Sequence, residues 1–264
     1  MLELKNISKT FNPGTINAKT ALSDLSLTLA DGDFVTVIGG NGAGKSTMLN
    51  AVAGTFLVDS GSIVIDGNDV TSLPEYKRAA FIGRVFQDPM MGTAPTMQIE
   101  ENLALAARRG QRRGLAWGIK KAEREEYRER LKTLGLGLEN RLTDKVGLLS
   151  GGQRQALTLL MAALKKPKLL LLDEHTAALD PATAAKVLEL SDRIVEENGL
   201  TAMMITHNMK DAINHGNRLI MMNEGRIILD ISGEEKKKLT KHDLMDRFAA
   251  LAGKQEETDS VLLS

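Results

Sequence analysis

The sequence predicts an α/β protein with a parallel sheet, an antiparallel β region near the N-terminus and an inserted α-helical region. Two continuous apolar runs, at residues 34–38 and 169–172, are typical of strands buried on both faces of a parallel sheet. Residues 25–29 instead alternate apolar and polar side chains, which predicts a half-exposed antiparallel strand. From about residue 98 to residue 166 the pattern is mostly helical.

The composition excludes several classes of protein. With 264 residues, the chain can bury a substantial core as one large domain with an insertion. Its 34 basic and 34 acidic residues balance, so the overall charge does not favour capture of nucleic acid or of an anionic membrane. The absence of cysteine excludes disulfides and cysteine-ligated metals. We expect a soluble chain, because neither a signal-peptide pattern nor an apolar run of about 18 residues occurs.

The N-terminal third predicts strands around one glycine-rich loop. A first strand is expected over residues 2–11, ending in Phe11, and another over 63–65. The loop from Gly39 to Thr47 fits the phosphate-loop pattern G-x-x-x-x-G-K-[S/T], and a helix over 46–53 follows it. The backbone N–H groups of such a loop point at phosphate oxygens. We therefore predict a nucleoside triphosphate site here, the alternative being a glycine-rich turn without a ligand.

Two side chains of this loop have predicted roles in the site. Lys45 supplies a positive charge for the β- and γ-phosphates, and the Ser46 hydroxyl is placed to ligate Mg²⁺. A phosphate loop alone indicates nucleotide binding and no particular reaction, so the reaction depends on residues elsewhere in the chain.

The second half alternates helices and strands. Ser150 is the predicted cap of a helix over 151–166, and Asp180 the cap of a helix that ends near residue 199. Further elements are expected over 202–205 (strand), 219–222 and 226–229 (hairpin) and 240–252 (helix).

Acidic residues end the apolar strand at 169–172. Asp173 can hold Mg²⁺, and Glu174 can polarise a water for attack on the γ-phosphorus. Ligands collect at the carboxyl ends of parallel strands, so we expect Asp173, Glu174 and His207 to lie beside the phosphate loop. Taken alone, His207 would better fit a structural histidine; only its place after a strand and the other motifs favour a site residue. The start of the helix at Ser150 offers free N–H groups and two glycines, which predicts an anion site without a ligand from its own chain.

At this point the sequence resembles the ATP-binding cassette (ABC) ATPases. Leu149-Ser150-Gly151-Gly152-Gln153 matches their signature motif, and Ala178-Leu179-Asp180 is similar to their D-loop. Gln87 resembles the glutamine-loop residue, and His207 the switch histidine. Six motifs in the family's order, spread from Gly39 to His207, carry this resemblance.

The resemblance implies a P-loop NTPase (RecA-like) core with a parallel sheet, an antiparallel β subdomain and an inserted α-helical subdomain. We predict one domain over 1–253, with core and β subdomain over about 1–88 and 167–235, a helical signature subdomain over about 89–166, and a flexible tail over 254–264. It further implies a head-to-tail dimer that closes on two ATP molecules, each between the phosphate loop of one copy and the signature of the other.

The resemblance also assigns roles to individual residues. The implied catalytic residues are Glu174, His207, Gln87 and Lys45. Mg²⁺ would be held by Ser46, Gln87 and Asp173. The implied ATP contacts within one chain are Phe11, Gly39, Asn41, Gly42, Ala43, Gly44, Lys45, Ser46 and Thr47. Across the dimer they are Ser150, Gly151, Gly152 and Gln153, with Asp180 at the interface.

Two positions depart from the family pattern. Proline usually follows the catalytic glutamate, whereas this chain has His175, which we expect to be tolerated without a catalytic role. The adenine-stacking residue is often tyrosine, and the candidate here is Phe11, which keeps the π-face; a place in the core is the alternative for Phe11.

The resemblance implies integral membrane permease subunits as partners, together with a substrate-binding protein, at the cytoplasmic face of the membrane. The motifs look closest to ATPase subunits of amino-acid uptake systems. An exporter or lipid-handling complex shares every motif, and a soluble ABC ATPase acting on nucleic acid or protein assembly is a further alternative. We expect no nucleic acid; only the cluster Arg108, Arg109, Arg112 and Arg113 favours such a partner, or lipid head groups.

Overall fold

The computed structural model describes residues 1–111 and 118–250. The predicted tail over 254–264, the end of the predicted last helix, Arg112 and Arg113 lie outside these ranges. Within them the chain forms two sheets, of four and six strands, with helices packed around them.

The smaller sheet is antiparallel and comes from the N-terminal region. Strand β1 (Leu2–Phe11) pairs with β2 (Lys19–Leu29) and with β4 (Ser60–Ile65), and the short β5 (Asn68–Asp69) closes the edge. In the second half of β2 buried and exposed residues alternate, because one face packs on the core and the other meets water. The antiparallel region predicted from this alternation is confirmed.

The larger sheet is mostly parallel and holds the strand order β10-β9-β3-β8-β7-β6. Its members are β3 (Phe34–Gly39), β6 (Ile82–Val85), β7 (Leu169–Asp173), β8 (Ala202–Ile205), β9 (Arg218–Asn223) and β10 (Arg226–Ser232). Only β10 runs antiparallel to its neighbour, in the predicted hairpin. Strand β6 was not predicted, because Gly83 and Arg84 interrupt its short apolar pattern, unlike the continuous apolar run of β8.

Strand β7 shows why its leucine run forms a strand. Leu170 and Leu172 pack into the core on one side of the sheet, while Leu169 and Leu171 pack into the core on the other. All four leucines are buried, and the strand pairs in parallel with β6 and β8. The sheet therefore buries both faces here, as the continuous apolar run predicted.

The helices begin at the predicted signals. Helix α1 (Lys45–Ala53) follows the phosphate loop, and α2 (Glu75–Arg78) is a single turn. Helix α6 (Pro181–Asn198) starts at the cap Asp180, whose side chain accepts a hydrogen bond from the N–H of Thr183. The remaining helices of this part are α7 (Met209–Asn214), α8 (Gly233–Lys238) and a helix over 241–250.

The inserted region is mostly helical, as predicted, but its helices are interrupted. It contains α3 (Ile99–Ala107), α4 (Lys121–Lys132) and α5 (Gly151–Ala163), which ends three residues before the predicted end. Residues 133–150 hold only two 3₁₀ turns, Leu138–Asn140 and Val146–Leu148. Gly135 and Gly137 adopt positive φ angles of 67° and 71°, which interrupts a helix. Among residues 1–111 and 118–250, none of the helices combines the length and apolar character needed to cross a bilayer.

Candidate nucleotide site

The strand order brings the predicted site residues to one edge of the larger sheet. Strands β3, β8, β7 and β6 lie side by side and point the same way, so their carboxyl ends meet at this edge. The phosphate loop follows β3, His207 follows β8, Asp173 and Glu174 end β7, and Gln87 follows β6. Sequence segments more than 100 residues apart thus meet along one line.

Two glycines of the phosphate loop are needed because the backbone passes close to other strands. Gly39 has a φ of 153°, and a β-carbon there would lie 2.3 Å from the carbonyl oxygen of Met222. Gly44 has a φ of 98°, and a β-carbon there would lie 2.6 Å from the carbonyl oxygen of Ala21. Neither position has room for a side chain, so the loop curves tightly between β2 and β9.

The Lys45 ammonium is held inside the curve of the loop. Its Nζ donates hydrogen bonds to the carbonyl oxygens of Gly39 (2.9 Å) and Gly40 (3.0 Å). Burial lowers the pKa of Lys45, and the negative charge of Glu174 opposes that shift. The loop therefore has a preplaced cation with a carboxylate within electrostatic reach, as catalysis at a phosphate requires.

Asp173 is paired with an arginine that the sequence did not single out. The Nη2 atom of Arg84 lies 3.2 Å from Asp173 Oδ2 and donates to Asn50 Oδ1 at 2.6 Å. The Arg84 guanidinium also covers the Phe86 ring, 4.6 Å from its centroid. Burial raises the pKa of Asp173, with Arg84 opposing the shift. Arg84 connects β6, β7 and α1, a tertiary contact that leaves no local signal in the sequence.

Glu174 and His207 face one another beside this pair. His207 Nδ1 lies 3.6 Å from Glu174 Oε2. The His207 side chain is 66% exposed and that of Glu174 22% exposed, so a packed structural histidine does not describe His207. Glu174 adopts a positive φ of 44°, a left-handed conformation that is uncommon for a residue with a side chain. Such outliers cluster at functional sites.

Gln87 lies exposed on the loop that leaves β6. The preceding residue fixes the base of this loop, because Gln155 of α5 donates from Nε2 to the Phe86 carbonyl oxygen at 3.1 Å. Farther along, a β-carbon on Gly92 would lie 2.5 Å from Thr158 Cγ2, also on α5. The glutamine loop is therefore in direct contact with the helix that the signature motif begins.

Phe11 lies next to the phosphate loop at the end of β1. It is 36% exposed and packs edge-to-face on Phe56, with ring centroids 5.3 Å apart. A cavity of about 250 Å³ is lined by Phe11, Lys19, Ala21 and loop residues 42–47. Phe11 is thus available to a ligand and does not lie in the core.

The signature motif begins α5 as a closed capping box. Ser150 Oγ accepts from the Gln153 N–H at 3.3 Å, and Gln153 Oε1 accepts from the Ser150 N–H at 3.2 Å. Gly152 faces α6, where a β-carbon would lie 2.2 Å from Thr183 Cγ2. A cavity of about 710 Å³ opens here, and its lining includes Ser150, Gly152 and Gln153 but no residue of the phosphate-loop cavity.

Comparison with known proteins decides the family. The sequence profile described as ABC transporter matches residues 22–177 of this chain. The chain belongs to the ABC transporter family. It is therefore an ATP-binding cassette, an ATPase, and the resemblance drawn from its motifs is confirmed.

Relatives of this cassette include ATP-binding proteins of several transport systems. It is 45% identical to the tyrosine transport ATP-binding protein of Clostridioides difficile (strain R20291), over 94% of this chain and 98% of that protein. It is 35% identical to the spermidine/putrescine import ATP-binding protein PotA of Haemophilus influenzae, over 89% of this chain and 59% of PotA.

Solved ABC cassettes share the fold. One is a dimeric ATP-binding cassette in a post-hydrolysis state bound to ADP and Pi, with a TM-score of 0.74 and 31% identity over 88% of this chain and 98% of that chain. Another, the ADP conformation of an ABC transporter cassette, has a TM-score of 0.76 and 28% identity over 94% of this chain and 98% of that chain. The predicted α/β fold class with a P-loop NTPase core is confirmed.

His175 is a buried residue in this cassette, and its contacts indicate a structural role and not a catalytic one. It is 2% exposed, and its Nε2 lies 2.9 Å from Ser191 Oγ. Ser191 donates its own proton to the Val187 carbonyl oxygen at 2.8 Å, so Nε2 carries the proton that joins the two side chains. Burial, together with the nearby His215, lowers the pKa of His175 to about 4. His175, directly after Glu174, is therefore a neutral, packed imidazole that bonds to Ser191 of α6.

The described members of the arginine cluster are engaged within the chain. Arg108 pairs with Glu123 at 2.9 Å, and Arg109 donates to the Ala162 carbonyl oxygen at 3.0 Å. Both contacts fix α3 to its neighbours, which is a structural use of the two side chains.

Proposed function

We propose that this cassette hydrolyses MgATP at a site formed by two copies of the chain and drives solute uptake through separate membrane permease subunits. The observation that carries the hydrolysis is the sheet edge, where Lys45, Asp173, Glu174 and His207 follow adjacent parallel strands. Packing alone does not explain a buried lysine there with the Glu174 carboxylate close enough to act on its pKa.

The residues at this edge fit a magnesium ion. Asp173 presents a carboxylate, and Ser46 lies in the first turn of α1, so both offer the oxygen ligands that Mg²⁺ prefers. We propose Ser46, Gln87 and Asp173 as the residues that hold it. The remaining ligands of Mg²⁺ in such sites are phosphate oxygens and water, which is consistent with a single protein carboxylate. The bound ion supplies positive charge to the phosphates.

Glu174 is the proposed general base. Its carboxylate is 22% exposed, faces His207 at 3.6 Å and lies close enough to Lys45 to affect the pKa of that ammonium. A carboxylate so placed orients a water and accepts its proton as the water attacks phosphorus. His207 positions Glu174, and Lys45 stabilises the charge on the transferred phosphoryl group.

The second copy is proposed to add Ser150, Gly151, Gly152 and Gln153 to the site, with Asp180 at the interface. Within one chain the signature motif and the phosphate loop line separate cavities, so neither completes the other. A structural neighbour was solved as a dimer bound to ADP and Pi, which supports a dimer of this cassette as the nucleotide-binding form. Phe11, at the rim of the phosphate-loop cavity, is the proposed partner of the adenine.

Uptake of an amino acid is favoured by the tyrosine transport relative, which shares 45% identity with this chain, whereas the spermidine/putrescine relative PotA shares 35%. A tyrosine transport protein matches 94% of the chain, and a methionine import protein matches 86%. We propose aromatic or other amino acids as the solute, a substrate-binding protein that delivers it, and a position on the cytoplasmic face of the membrane. The helical part at about 89–166, joined to the glutamine loop through Gln155, would contact the permease.

The test is reconstitution with the membrane partner. The chain should co-purify with integral membrane proteins. In proteoliposomes its ATP hydrolysis should rise when tyrosine and the binding protein are present on the side of the membrane opposite the ATPase. Stimulation only by a solute on the side of the ATPase would favour an exporter. Recovery on ribosomes or DNA without membrane proteins would contradict the transport proposal.

A further inference from the structure

We propose that Lys19 is a second phosphate-binding cation of the nucleotide site, acting beside Lys45. The inference rests on the proposed nucleotide function and adds a residue that lies outside every motif of the sequence. It is carried by the strand register, by the position of the Lys19 ammonium, and by the absence of a competing carboxylate among the described residues.

Strand pairing places Lys19 directly opposite Phe11. Phe11 ends β1, Lys19 begins β2, and the two residues are partners in the antiparallel register. Directly opposed residues project from the same face of the sheet with β-carbons about 5 Å apart. The Lys19 side chain therefore leaves the sheet on the side of the proposed adenine partner.

The other end of the Lys19 side chain reaches the phosphate loop. A β-carbon built on Gly42 would lie 3.4 Å from Lys19 Nζ, so the ammonium lies close to the loop backbone. Lys19 also lines the cavity of about 250 Å³ that Phe11 and loop residues 42–47 share. A nucleotide with its base on Phe11 and its phosphates in the loop must pass this ammonium.

The Lys19 ammonium forms no ion pair with any of the described residues. Neighbouring Lys9 illustrates the contrast, because its Nζ forms an ion pair with Asp59 at 2.7 Å and lies over the Phe11 ring at 5.8 Å. The lysines that form ion pairs in residues 1–111 and 118–250 are Lys5, Lys9, Lys132, Lys168 and Lys237. Lys19, by contrast, lies on the rim of an anion site with no carboxylate at salt-bridge distance in that part of the chain.

Lys19 and Lys45 differ in the part of the phosphate chain that each can reach. Lys45 is buried and bonded to the carbonyl oxygens of Gly39 and Gly40, inside the loop. Lys19 lies outside the loop, between it and Phe11, where the phosphates nearest the ribose would run. A contact present in bound substrate and transition state alike strengthens binding without changing the chemical step. Lys19 is therefore a binding residue and not a catalytic one.

The test is a calorimetric titration of Lys19→Met and Lys19→Arg with ADP, with ATP in the absence of Mg²⁺, and with adenosine by displacement of ADP. For a partly exposed ion pair we expect Lys19→Met to weaken ADP and ATP by about fivefold, while Lys19→Arg stays close to the unaltered protein. Adenosine has no phosphate, so its affinity should not change. Raising the salt concentration should narrow the difference between Lys19→Met and the unaltered protein.

Lys5→Met is the matched control, since it removes the same charge from an exposed lysine of the adjacent strand. Unchanged ADP and ATP affinity in Lys19→Met would overturn the inference, and so would an equal loss for adenosine. In either case binding of ATP by the unaltered protein would leave the proposed nucleotide function standing. That function fails only if the unaltered protein itself does not bind ATP.

Discussion

The phosphate loop and the start of α5 are both glycine-rich helix N-termini, but only the second is capped by side chains of its own chain. Helix α1 has no side-chain cap, and Lys45 lies within its loop. Helix α5 is capped by its own Ser150 and Gln153, which bond to each other's backbone N–H groups. An uncapped N-terminus leaves N–H groups for a ligand, whereas a capping box makes a helix start stable without one.

The difference predicts an unequal division of labour. The phosphate loop has free donors, a cation and a neighbouring aromatic ring, so it should bind nucleotide in a single chain. At the start of α5 the guanidinium of Arg154 already donates to the carbonyl oxygens of Gly147 and Leu149 in its own chain, and the capping box leaves only part of the N–H groups free. This helix start should therefore add to a site that another chain has already formed. Changes at the two places should therefore separate binding from hydrolysis.

The largest effect is expected for Glu174→Gln. The amide keeps the size of the side chain but cannot accept a proton, so turnover should fall by about 10²–10⁴-fold while ATP binding is retained. The dimer should then persist with ATP bound, as size-exclusion chromatography can show. Glu129→Gln, at an exposed ion pair on α4, is the matched control and should leave phosphate release unchanged. Undiminished turnover in Glu174→Gln would remove Glu174 from its role.

Next in size is the effect of Lys45→Ala on binding. Hydrogen bonds from a charged donor contribute about 1.5–3 kcal/mol, so ATP affinity should fall by about 10- to 100-fold. Titration should be made at protein concentrations where the chain is monomeric. If Lys45→Ala bound nucleotide as tightly as the unaltered chain, this would contradict the claim that the phosphate loop binds nucleotide within a single chain.

Gly151→Asp should leave the ATP affinity of the monomeric chain unchanged and reduce ATP hydrolysis. A carboxylate in the first turn stabilises a helix, and Gly151 has ordinary space around it, since a β-carbon there would lie 3.4 Å from Leu179 Cδ2. The added negative charge would nevertheless repel the partner's phosphates. We expect phosphate release to fall by about tenfold or more, since like charges in a closed interface are strongly unfavourable. If Gly151→Asp lowered the ATP affinity of the monomer, the signature motif would belong to the nucleotide site of its own chain, which would contradict the proposal.

The smallest effect is on stability, at Gly152. Gly152→Ala places a methyl group against Thr183 on α6, where only 2.2 Å is available, and should lower the free energy of unfolding by about 1–3 kcal/mol. Thr183→Ser removes the clashing methyl and should restore most of the loss in the double variant. Urea denaturation measures both. Equal stability of Gly152→Ala and Gly151→Ala would show that this contact does not matter.

The sequence predicted best where residues act locally or repeat regularly. The buried leucines of β7, the alternation in β2, the cap Asp180 and the phosphate loop each depend on neighbours within one element. Such patterns fix the element and, through the strand order, the edge where ligands collect.

Contacts between distant segments could not be predicted in the same way. Arg84 meets Asp173 and Asn50 only after β6 pairs with β7, and one arginine in a short strand carries no periodic signal. Likewise the pairing of His175 with Ser191 explains how this chain accommodates a histidine after Glu174, but only the packed structure shows it. The sequence predicted residues 98–166 only as mostly helical, and it did not place the interruption at Gly135 and Gly137, whose φ angles are positive.

The central claim is that each ATP site uses the phosphate loop of one chain and the signature of another. Mixing Lys45→Ala chains with Gly151→Asp chains tests it most directly, since at limiting ATP each variant alone should hydrolyse ATP at about a tenth of the normal rate or less. A mixed dimer has one site with both defects and one intact site. Random pairing therefore predicts that the mixture regains ATP hydrolysis at about one quarter of the sites. If phosphate loop and signature served the same site within one chain, no intact site could form, and a mixture as inactive as its components would contradict the account.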